Sequence, residues 1–382
     1  MLKPRTVEEL AEMLARPAKH ARTIALEGCA SKRLMGGPTP QADEYVTTSG
    51  LNRVLQYEPH DLTISVEAGL PWRELTALLA KHRQMIPLDP PYGAVATVGG
   101  VVAASSSGPR RRLYGTARDV VIGMTFVTLE GKQVRSGGMV VKNVAGLDMG
   151  KLMIGSFGTL AAIAVVNFKV VPAPEVERSF LLPFDSLAAA IAARDSILRG
   201  VLQPSAIDLL NPAAGAALGN RAWLLAVCCG GNTAAVDRYE RELALLGNGV
   251  AFDGERHDSL WHYVRELTPT FLSQHQHGAV VRVSCTLKEL QSVMEFLPGV
   301  ALARAGSGVC YGYFERTQDA ALWLSSAARR GWKGVLEFSP EEWKQDVEMW
   351  PAPGGDIELM HRVKKLFDPE NLLNRGRLYR RI

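Results

Sequence analysis

Hydrophobic and polar positions follow two different patterns along the chain, and the change falls near residue 174. Before it, a capping box of Thr6 and Glu9 predicts a first helix, and Pro71 predicts the start of a helix over "PWRELTALLAKH". Alternating runs predict strands at "ARTIALEG" and "DLTISVEAG", a hairpin at "RDVVIGMTFVTLEGKQVRSGG" and a further strand at "TLAAIAVVNFKVV". Strands mixed with helices predict an α+β or α/β arrangement for the first domain, residues 1–174.

After the prolines of "PAPE", strands and helices alternate with short links. Strands are predicted at "SFLLPF", "SAIDLL", "AWLLAVCC", "AVVRVSC", "GVCYGYFE" and "GVLEFS", with helices near 186–199, 233–246, 287–297 and 317–330. This order predicts a ferredoxin-like α+β cap over residues 175–355, an antiparallel sheet with helices on one face. Residues 356–382 read as a helix and a turn that return to the first domain, with His361 and Lys364 facing solvent.

Composition excludes several classes of protein. The hydrophobic fraction of 47% and net charge of +4 are those of a soluble globular chain, and no apolar run is long enough for a membrane helix. The amphipathic start lacks the apolar core of a secretory signal, so a cytoplasmic protein is expected. No basic stripe with interleaved aromatics indicates nucleic acid binding. The five cysteines contain no C-x-x-C pair, which argues against disulfide, zinc and iron–sulfur frameworks.

The one concentration of positive charge is Arg110 to Arg112 in "GPRRRLYG". A solvated turn is the favoured interpretation of this run. A surface for a partner protein is the alternative.

Three glycine-rich loops, at 28–37, 93–108 and 145–158, carry the chemical signal of the first domain. None matches a P-loop or a dinucleotide-binding fingerprint. Several bare loops that converge suit an extended, phosphate-bearing cofactor, because backbone N–H groups can cradle a pyrophosphate and "TVGGVVAAS" can present a helix N-terminus to it. A side chain at Gly99 or Gly100 is expected to hold the ligand away.

The ordered motifs "LDPP", "ATVGG", "GPRRRLYGTARDVVIG" and "VKNVAGLDMGKLMIGSFGTLAAI" resemble the FAD-binding domain of the vanillyl-alcohol oxidase and p-cresol methylhydroxylase (PCMH) type. More narrowly, the "VKNVAGLDMGKL" form and the ending "LFDPENLLNRGRL" resemble the FAD-binding subunit of bacterial glycolate oxidase. The resemblance is strong over residues 50–175 and at the last twenty residues, and loose through the cap. It implies a two-subdomain PCMH-type FAD-binding domain followed by the cap.

The resemblance also implies positions for the cofactor. The first loop would hold the pyrophosphate, Pro90 and "TVGG" form a second FAD loop, the serines after it lie beside the flavin ring, and the third loop packs under the pyrophosphate and adenine. The residues implied are Gly28, Ser31, Lys32, Pro90, Thr97, Val98, Gly99, Gly100, Ser106, Ser107, Gly108, Lys142, Gly155, Gly158, Thr159, Ile163 and Asn374. Lys142 and Asp148 either fix the third loop or form an ordinary ion pair.

Three departures from the family pattern stand out. Cys29 replaces a usual glycine, so the first loop would bind less closely, and Arg375 replaces the proline after Asn374. No histidine lies where related oxidases attach flavin covalently, so the FAD is expected to be bound non-covalently.

The sequence names no catalytic base. His275 and His277 in "SQHQHG" share a face of an extended segment. A polar segment that leads into a strand is favoured over a metal site, and no metal is predicted. Tyr311 and Tyr313 share a sheet face, where core packing is favoured over a pocket above the flavin.

Three functions remain open at this point. The leading hypothesis is a FAD-carrying subunit of a glycolate-oxidase-like complex for 2-hydroxy acids, working beside a second flavoprotein subunit and an iron–sulfur subunit. Such a complex would bring peripheral membrane association without a transmembrane segment. The alternatives are a self-sufficient FAD oxidoreductase for a hydroxy acid or another alcohol, and a module that keeps the fold but has lost FAD.

Overall fold

The computed structural model describes residues 1–139, 148–380 and 382, and the chain forms two compact units. The first contains residues 1–107, 115–173 and 352–382, and the second contains 108–114 and 174–351. These limits lie close to the expected boundaries after 174 and 355. The assignment of 108–114 to the second unit was not predicted.

The described residues of the first unit form one five-stranded sheet and two two-stranded sheets, β1-β2 and β5-β9. Up to residue 173 the helices are α1 (Val7–Ala18), α2 (Trp72–Ala80), α3 (Val98–Ala103), α4 (Arg111–Tyr114, part of the second unit), α5 (Ala117–Val120) and α6 (Met149–Met153). The strands are β1 (Ile24–Glu27), β2 (Glu44–Thr47), β3 (Val54–Glu58), β4 (Thr63–Glu67), β5 (Gln84–Met85), β6 (Val121–Val127), β7 (Gln133–Gly137), β8 (Ala162–Lys169) and β9 (Val171–Pro172). A short 3-10 turn lies at Thr48–Gly50.

Five of these strands form an antiparallel sheet in the order β3-β4-β8-β6-β7, and β1 and β2 pair in parallel. The predicted first helix, hairpin and strands are confirmed. Thr6 accepts a hydrogen bond from the Glu9 N–H, and the Glu9 carboxylate accepts one from the Arg5 N–H. In a capping box the carboxylate would accept from the N–H of the N-cap residue Thr6, so here it bonds one residue earlier in the chain. Pro71 is the N-cap of α2 and not its first residue.

The second unit carries one large sheet. Its helices are α7 (Leu187–Arg199), α8 (Pro212–Gly215), α9 (Thr233–Ala244), α10 (Gly254–Gln274), α11 (Leu290–Phe296) and α12 (Thr317–Arg329), and α13 (Ile357–Phe367) returns to the first unit. Its strands are β10 (Val176–Phe184), β11 (Ala206–Leu210), β12 (Trp223–Gly231), β13 (Val250–Phe252), β14 (Ala279–Ser284), β15 (Val300–Arg304), β16 (Val309–Phe314) and β17 (Lys333–Phe338). Further 3-10 turns lie at Ala216–Leu218 and Glu341–Trp343.

The eight strands lie in the order β13-β10-β12-β11-β15-β16-β14-β17. This order contains two consecutive βαββαβ motifs, β10-α7-β11-β12-α9-β13 and β14-α11-β15-β16-α12-β17, each with its first and third strands in the middle. The two motifs join where β11 pairs with β15, at Leu209 opposite Ala303. The ferredoxin-like prediction is therefore confirmed, in duplicate.

The prediction that helices cover one face is wrong. Phe180 of β10 lies in the core that α7, α9, α11 and α12 share with the sheet. Its neighbour Ser179 points to the opposite face, where its hydroxyl accepts a 2.7 Å hydrogen bond from the indole N–H of Trp261 on α10. Polar residues interrupt the apolar positions of α10, so its sequence gave only a weak helical signal.

Candidate cofactor-binding site

A cleft of about 220 Å³ lies within the first unit. Four segments form its main walls, namely β1 with the loop that follows, α3, the loop before β8, and residues 372–377, and Tyr45 and Thr48 add to the lining. Each wall is a place where regular structure ends and the backbone comes to the surface of the cavity.

The loop after β1 offers free backbone donors to the cleft. Ala30 has a positive φ of 53°, and among residues 1–139, 148–380 and 382 the N–H groups of Cys29, Ala30 and Ser31 donate no hydrogen bond. Consecutive N–H groups around a left-handed residue form an anion-binding nest. Glycine is required at position 28, because a Cβ there would lie 2.2 Å from Oγ1 of Thr97.

The second wall begins at Thr97, the N-cap of α3, whose hydroxyl oxygen accepts a 3.3 Å hydrogen bond from the Gly100 N–H. A Cβ on Gly100 would meet only Oγ1 of Thr97 within 4 Å, so a side chain there would extend into open space. Gly99 also lines the cleft, but its Cβ would meet the protein itself. A Cβ on Gly99 would lie 2.8 Å from Cβ of Ala68, so this glycine serves the packing of α3 against the end of β4.

The third wall is attached to the end of α3. The N–H of Gly155 donates to the carbonyl of Val102 at 3.2 Å, and the N–H of Phe157 donates to the carbonyl of Ala103 at 2.9 Å. Gly158 has a positive φ of 68°, and a Cβ there would lie 2.9 Å from Nδ2 of Asn374. Glycine is therefore needed at 158 both for the turn and for the contact with the fourth wall.

Asn374 joins two walls through its amide. Its Oδ1 accepts a 2.7 Å hydrogen bond from the Leu26 N–H, and its Nδ2 donates to the carbonyls of Leu26 at 3.0 Å and Phe157 at 2.9 Å. The side chain extends the pairing of β1 in the way a neighbouring strand would. The third and fourth walls are held together by the same amide.

Lys364 anchors the segment before Asn374, and the expectation that it faces solvent is wrong. Its ammonium group donates to the Thr159 carbonyl at 2.7 Å, to Oδ2 of Asp368 at 2.7 Å and to the Leu373 carbonyl at 3.1 Å. Only 4% of the residue is exposed. Burial lowers the pKa of Lys364, while Asp368 opposes that shift. Asp368 also accepts from the Leu372 and Leu373 N–H groups, which explains why an aspartate precedes the turn.

The structure brings nine of the residues implied by the sequence onto the cleft: Gly28, Ser31, Lys32, Thr97, Gly99, Gly100, Gly158, Ile163 and Asn374. Seven others do not line it: Pro90, Val98, Ser106, Ser107, Gly108, Gly155 and Thr159. Val98 and Thr159 are completely buried, and Gly108 belongs to the second unit. Lys142 lies outside the described residues, and Asp148 caps α6 and pairs with Lys151 at 3.2 Å.

Several lining residues were missed by sequence reasoning, among them Thr23, Tyr45, Phe157 and Arg377. Phe157 stands inside the glycine motif, where its positive φ of 53° could not be read from the residue type. Of the departures from the family pattern, Cys29 and Arg375 are both exposed and both line the cleft.

The arginine run 110–112 is not a solvated turn. The guanidinium of Arg110 binds both carboxylate oxygens of Glu177, at 2.8 and 3.0 Å, and its side chain is 17% exposed. Arg112 donates to the Pro204 carbonyl and to the Gln203 side chain, both at 3.3 Å. Two of the three arginine side chains are therefore bound to other residues of the second unit.

His275 and His277 make separate contacts. The ring of His275 packs on Phe271 with 4.3 Å between centroids, and Nδ1 of the exposed His277 lies 3.0 Å from a carboxylate oxygen of Glu342.

One group of metal-type ligands occurs within residues 1–139 and 148–380, formed by Glu177, Cys228 and His257. The Glu177 carboxylate is already bound by the cation of Arg110.

The face of the large sheet that carries α10 also bears a row of polar side chains. Arg304 is ion-paired with the buried Asp208, and Arg282 pairs with Glu337 at 2.8 Å. Tyr311 stands between these pairs, with the Arg304 guanidinium 5.6 Å from its ring. Burial raises the pKa of Tyr311 and of Glu337. Tyr313, on the same face, packs against Phe271 of α10.

Comparisons with known proteins agree with this architecture. Residues 1–137 match the model of the FAD binding domain, and residues 352–378 match the C-terminal domain of FAD linked oxidases. A crystal structure of p-cresol methylhydroxylase with substrate bound has the same fold, with a TM-score of 0.78 and 17% identity over 98% of this chain and 87% of that one. The chain is a FAD-dependent oxidoreductase with a PCMH-type FAD-binding domain.

Two relatives identify the family of the chain more specifically. Glycolate oxidase subunit GlcE of Escherichia coli (strain K12) is 30% identical over 97% of this chain and 97% of its own length. A D-lactate dehydrogenase of Archaeoglobus fulgidus is 24% identical over 100% of this chain and 91% of its own length. The chain belongs to the family of the glycolate oxidase subunit GlcE, and its cofactor is FAD.

The cleft fits this cofactor. Free backbone N–H groups at Cys29, Ala30 and Ser31 suit a pyrophosphate, and the open space at Gly100 admits a ligand against the backbone. These features argue against a module that has lost FAD. Among the described residues, no helix is both long enough and apolar enough to cross a membrane.

Proposed function

We propose that this chain is the FAD-binding subunit of a glycolate-oxidase-like complex that oxidises a 2-hydroxy acid. The observation that carries the proposal is the match to a protein named as a glycolate oxidase subunit over 97% of both chains. The D-lactate dehydrogenase relative is also named for a 2-hydroxy acid. A second flavoprotein subunit and an iron–sulfur subunit complete the proposed complex.

In this proposal FAD lies along the cleft of the first unit. The nest at 29–31 and the start of α3 at Thr97 hold the pyrophosphate, and Lys32 adds a positive charge to the first loop. Gly158, Ile163 and Asn374 form the opposite side. FAD supplies a ring that accepts a hydride and passes electrons on, and the protein residues bind and orient it.

The polar row on the second unit bears on whether the chain could act alone. A self-sufficient hydroxy-acid dehydrogenase needs a cation for the substrate carboxylate and a base for the hydroxyl proton. Arg304 and Arg282 are each engaged by a carboxylate of the same sheet. Among the described residues, the two strand arginines of the row are therefore engaged within the sheet, while the charge of Arg111 on α4 also acts on Tyr311 and Glu337.

Gly100→Leu tests the placement of FAD. The added side chain would fill the cleft, so the dissociation constant for FAD is expected to rise by about a hundredfold or more, as for any ligand forced out of a preformed site. Flavin fluorescence titration of the apoprotein measures it. Gly355→Leu is the control, because a Cβ there meets nothing within 4 Å and the position is exposed. Equal affinities for both variants would contradict the placement.

Flavin reduction tests the subunit role. The purified chain is expected to be yellow, to release its flavin on acid precipitation, and to remain oxidised when glycolate or D-lactate is added without oxygen. Bleaching is expected only when the partner subunits are present. Rapid bleaching of the isolated chain would instead establish the self-sufficient oxidoreductase, which the full-length match to D-lactate dehydrogenase favours.

A further inference from the structure

Arg377 is a buried cation that the proposed function does not use. It is 8% exposed and lies on the border of the cleft. We propose that Arg377 is a positioning residue that sets the affinity for FAD by holding the loop after β1 in its binding shape. The inference rests on the proposed placement of FAD along this cleft.

The guanidinium of Arg377 binds four carbonyl oxygens of a single short loop. One terminal nitrogen donates to the carbonyls of Arg33 at 3.2 Å and Gly37 at 3.4 Å. The other donates to the carbonyls of Lys32 at 3.4 Å and Met35 at 2.6 Å. The loop is thereby wrapped around one side chain.

Backbone contacts reinforce this attachment. The Gly37 N–H donates to the Arg377 carbonyl at 2.9 Å, and a Cβ on Gly37 would lie 2.2 Å from the Gly376 carbonyl oxygen. The guanidinium also lies 5.5 Å from the ring centroid of Phe157, which belongs to the third wall of the cleft. Arg377 therefore links the first loop to the third.

Arginine is the residue type that this arrangement needs. Its planar group carries five N–H donors in a fixed fork, whereas lysine has three donors on a point charge. A lysine at 377 would leave some of the four carbonyls without their partner. Buried carbonyls that lose a partner draw in water or change the shape of the loop.

Arg377 preorganises the loop after β1 for FAD binding. Backbone hydrogen bonds within the loop run from the Arg33 N–H to the Ala30 carbonyl and from the Met35 N–H to the Lys32 carbonyl. The nest at 29–31 directly precedes the carbonyls that Arg377 holds. If this support is removed, FAD must order the loop as it binds, and that ordering weakens the affinity.

The experiment compares Arg377→Gln with Arg194→Gln. Arg194 of α7 is a matched control in the second unit, 1% exposed and donating to the carbonyls of Ala305 and Leu287, both at 3.1 Å. Both variants are expected to lower the thermal unfolding midpoint of the apoprotein. Only the Arg377 variant is expected to raise the dissociation constant for FAD, by about tenfold or more.

Hydrogen exchange of residues 28–37 in the apoprotein gives the second measurement, with faster exchange expected for Arg377→Gln only. Arg377→Lys serves if the glutamine variant does not fold, and a smaller rise in the dissociation constant is expected for it. Unchanged affinity in a folded Arg377 variant would overturn the inference. If Gly100→Leu abolishes binding while Arg377 variants bind normally, the placement of FAD stands and this inference fails.

Discussion

At the scale of the residue, buried polar side chains stabilise the interior of each unit. Each of them depends on hydrogen-bond or ion-pair partners from elements distant in the sequence. His257 of α10 is an example, with Nδ1 2.7 Å from the Ser179 hydroxyl and Nε2 3.9 Å from a Glu177 carboxylate oxygen. Burial lowers the pKa of His257, and Glu177 and Asp258 oppose this shift. The charges of Arg110 and Arg265 add to the lowering.

This environment predicts a pH dependence of stability. Below the unfolded pKa of about 6.5 the unfolded chain binds more protons than the folded one, so the free energy of unfolding falls as the pH drops through that window. His257→Gln is expected to reduce this slope by at most about 1.4 kcal/mol per pH unit, the value for one proton.

Urea unfolding between pH 7.5 and 5.5 measures the slope. His262→Gln, at an exposed position of the same helix, is the control. A slope that is equal in both variants and the parent protein would show that His257 does not titrate differently on folding.

At the scale of the element, α13 matters because it delivers one buried lysine to the first unit. Five of its eleven residues are exposed, and Lys364 is its buried residue. That side chain connects α13 to the Thr159 carbonyl before β8 and to the turn at 368–373. The sequence placed the helix correctly, but a lysine in a charged run gave no signal of burial.

Lys364→Met is expected to lower the free energy of unfolding by about 3 kcal/mol or more, because it leaves Asp368 buried without its cation. Lys365→Met changes the exposed neighbour and is expected to stay within about 0.5 kcal/mol of the parent. Denaturant titration of both variants measures the difference. A loss below 1 kcal/mol for Lys364→Met would mean that water replaces the ammonium group at little cost.

At the scale of the whole molecule, the first unit is made from three separate parts of the chain. Local patterns predicted α1, α2, β1, β4, the β6–β7 hairpin, β8 and the glycine loops, because turns and amphipathic periods depend on neighbouring residues, but they did not predict β2, β3, α5 or α6. They did not predict the role of Arg377 or the joining of two ferredoxin-like motifs at β11 and β15. Those features depend on pairing between residues far apart, which a single sequence does not display.

A chain that ends at Pro351 tests this assembly. It keeps all the residues of the second unit but lacks Lys364, Asn374 and Arg377. It is expected to lose FAD on gel filtration while it retains part of its far-ultraviolet circular dichroism. A chain that ends at Leu378 keeps the three side chains and is expected to bind FAD. A yellow protein from the shorter chain would show that the fourth wall is dispensable.

The hydrogen bonds of the Asn374 amide have a consequence for the order of events during folding. It joins Leu26 to a residue 348 positions away in the sequence. Closing so long a loop costs chain entropy, which earlier and more local contacts must offset. The cleft is therefore expected to form only after more local contacts have formed, and retention of the yellow cofactor would report that both ends of the chain have come together.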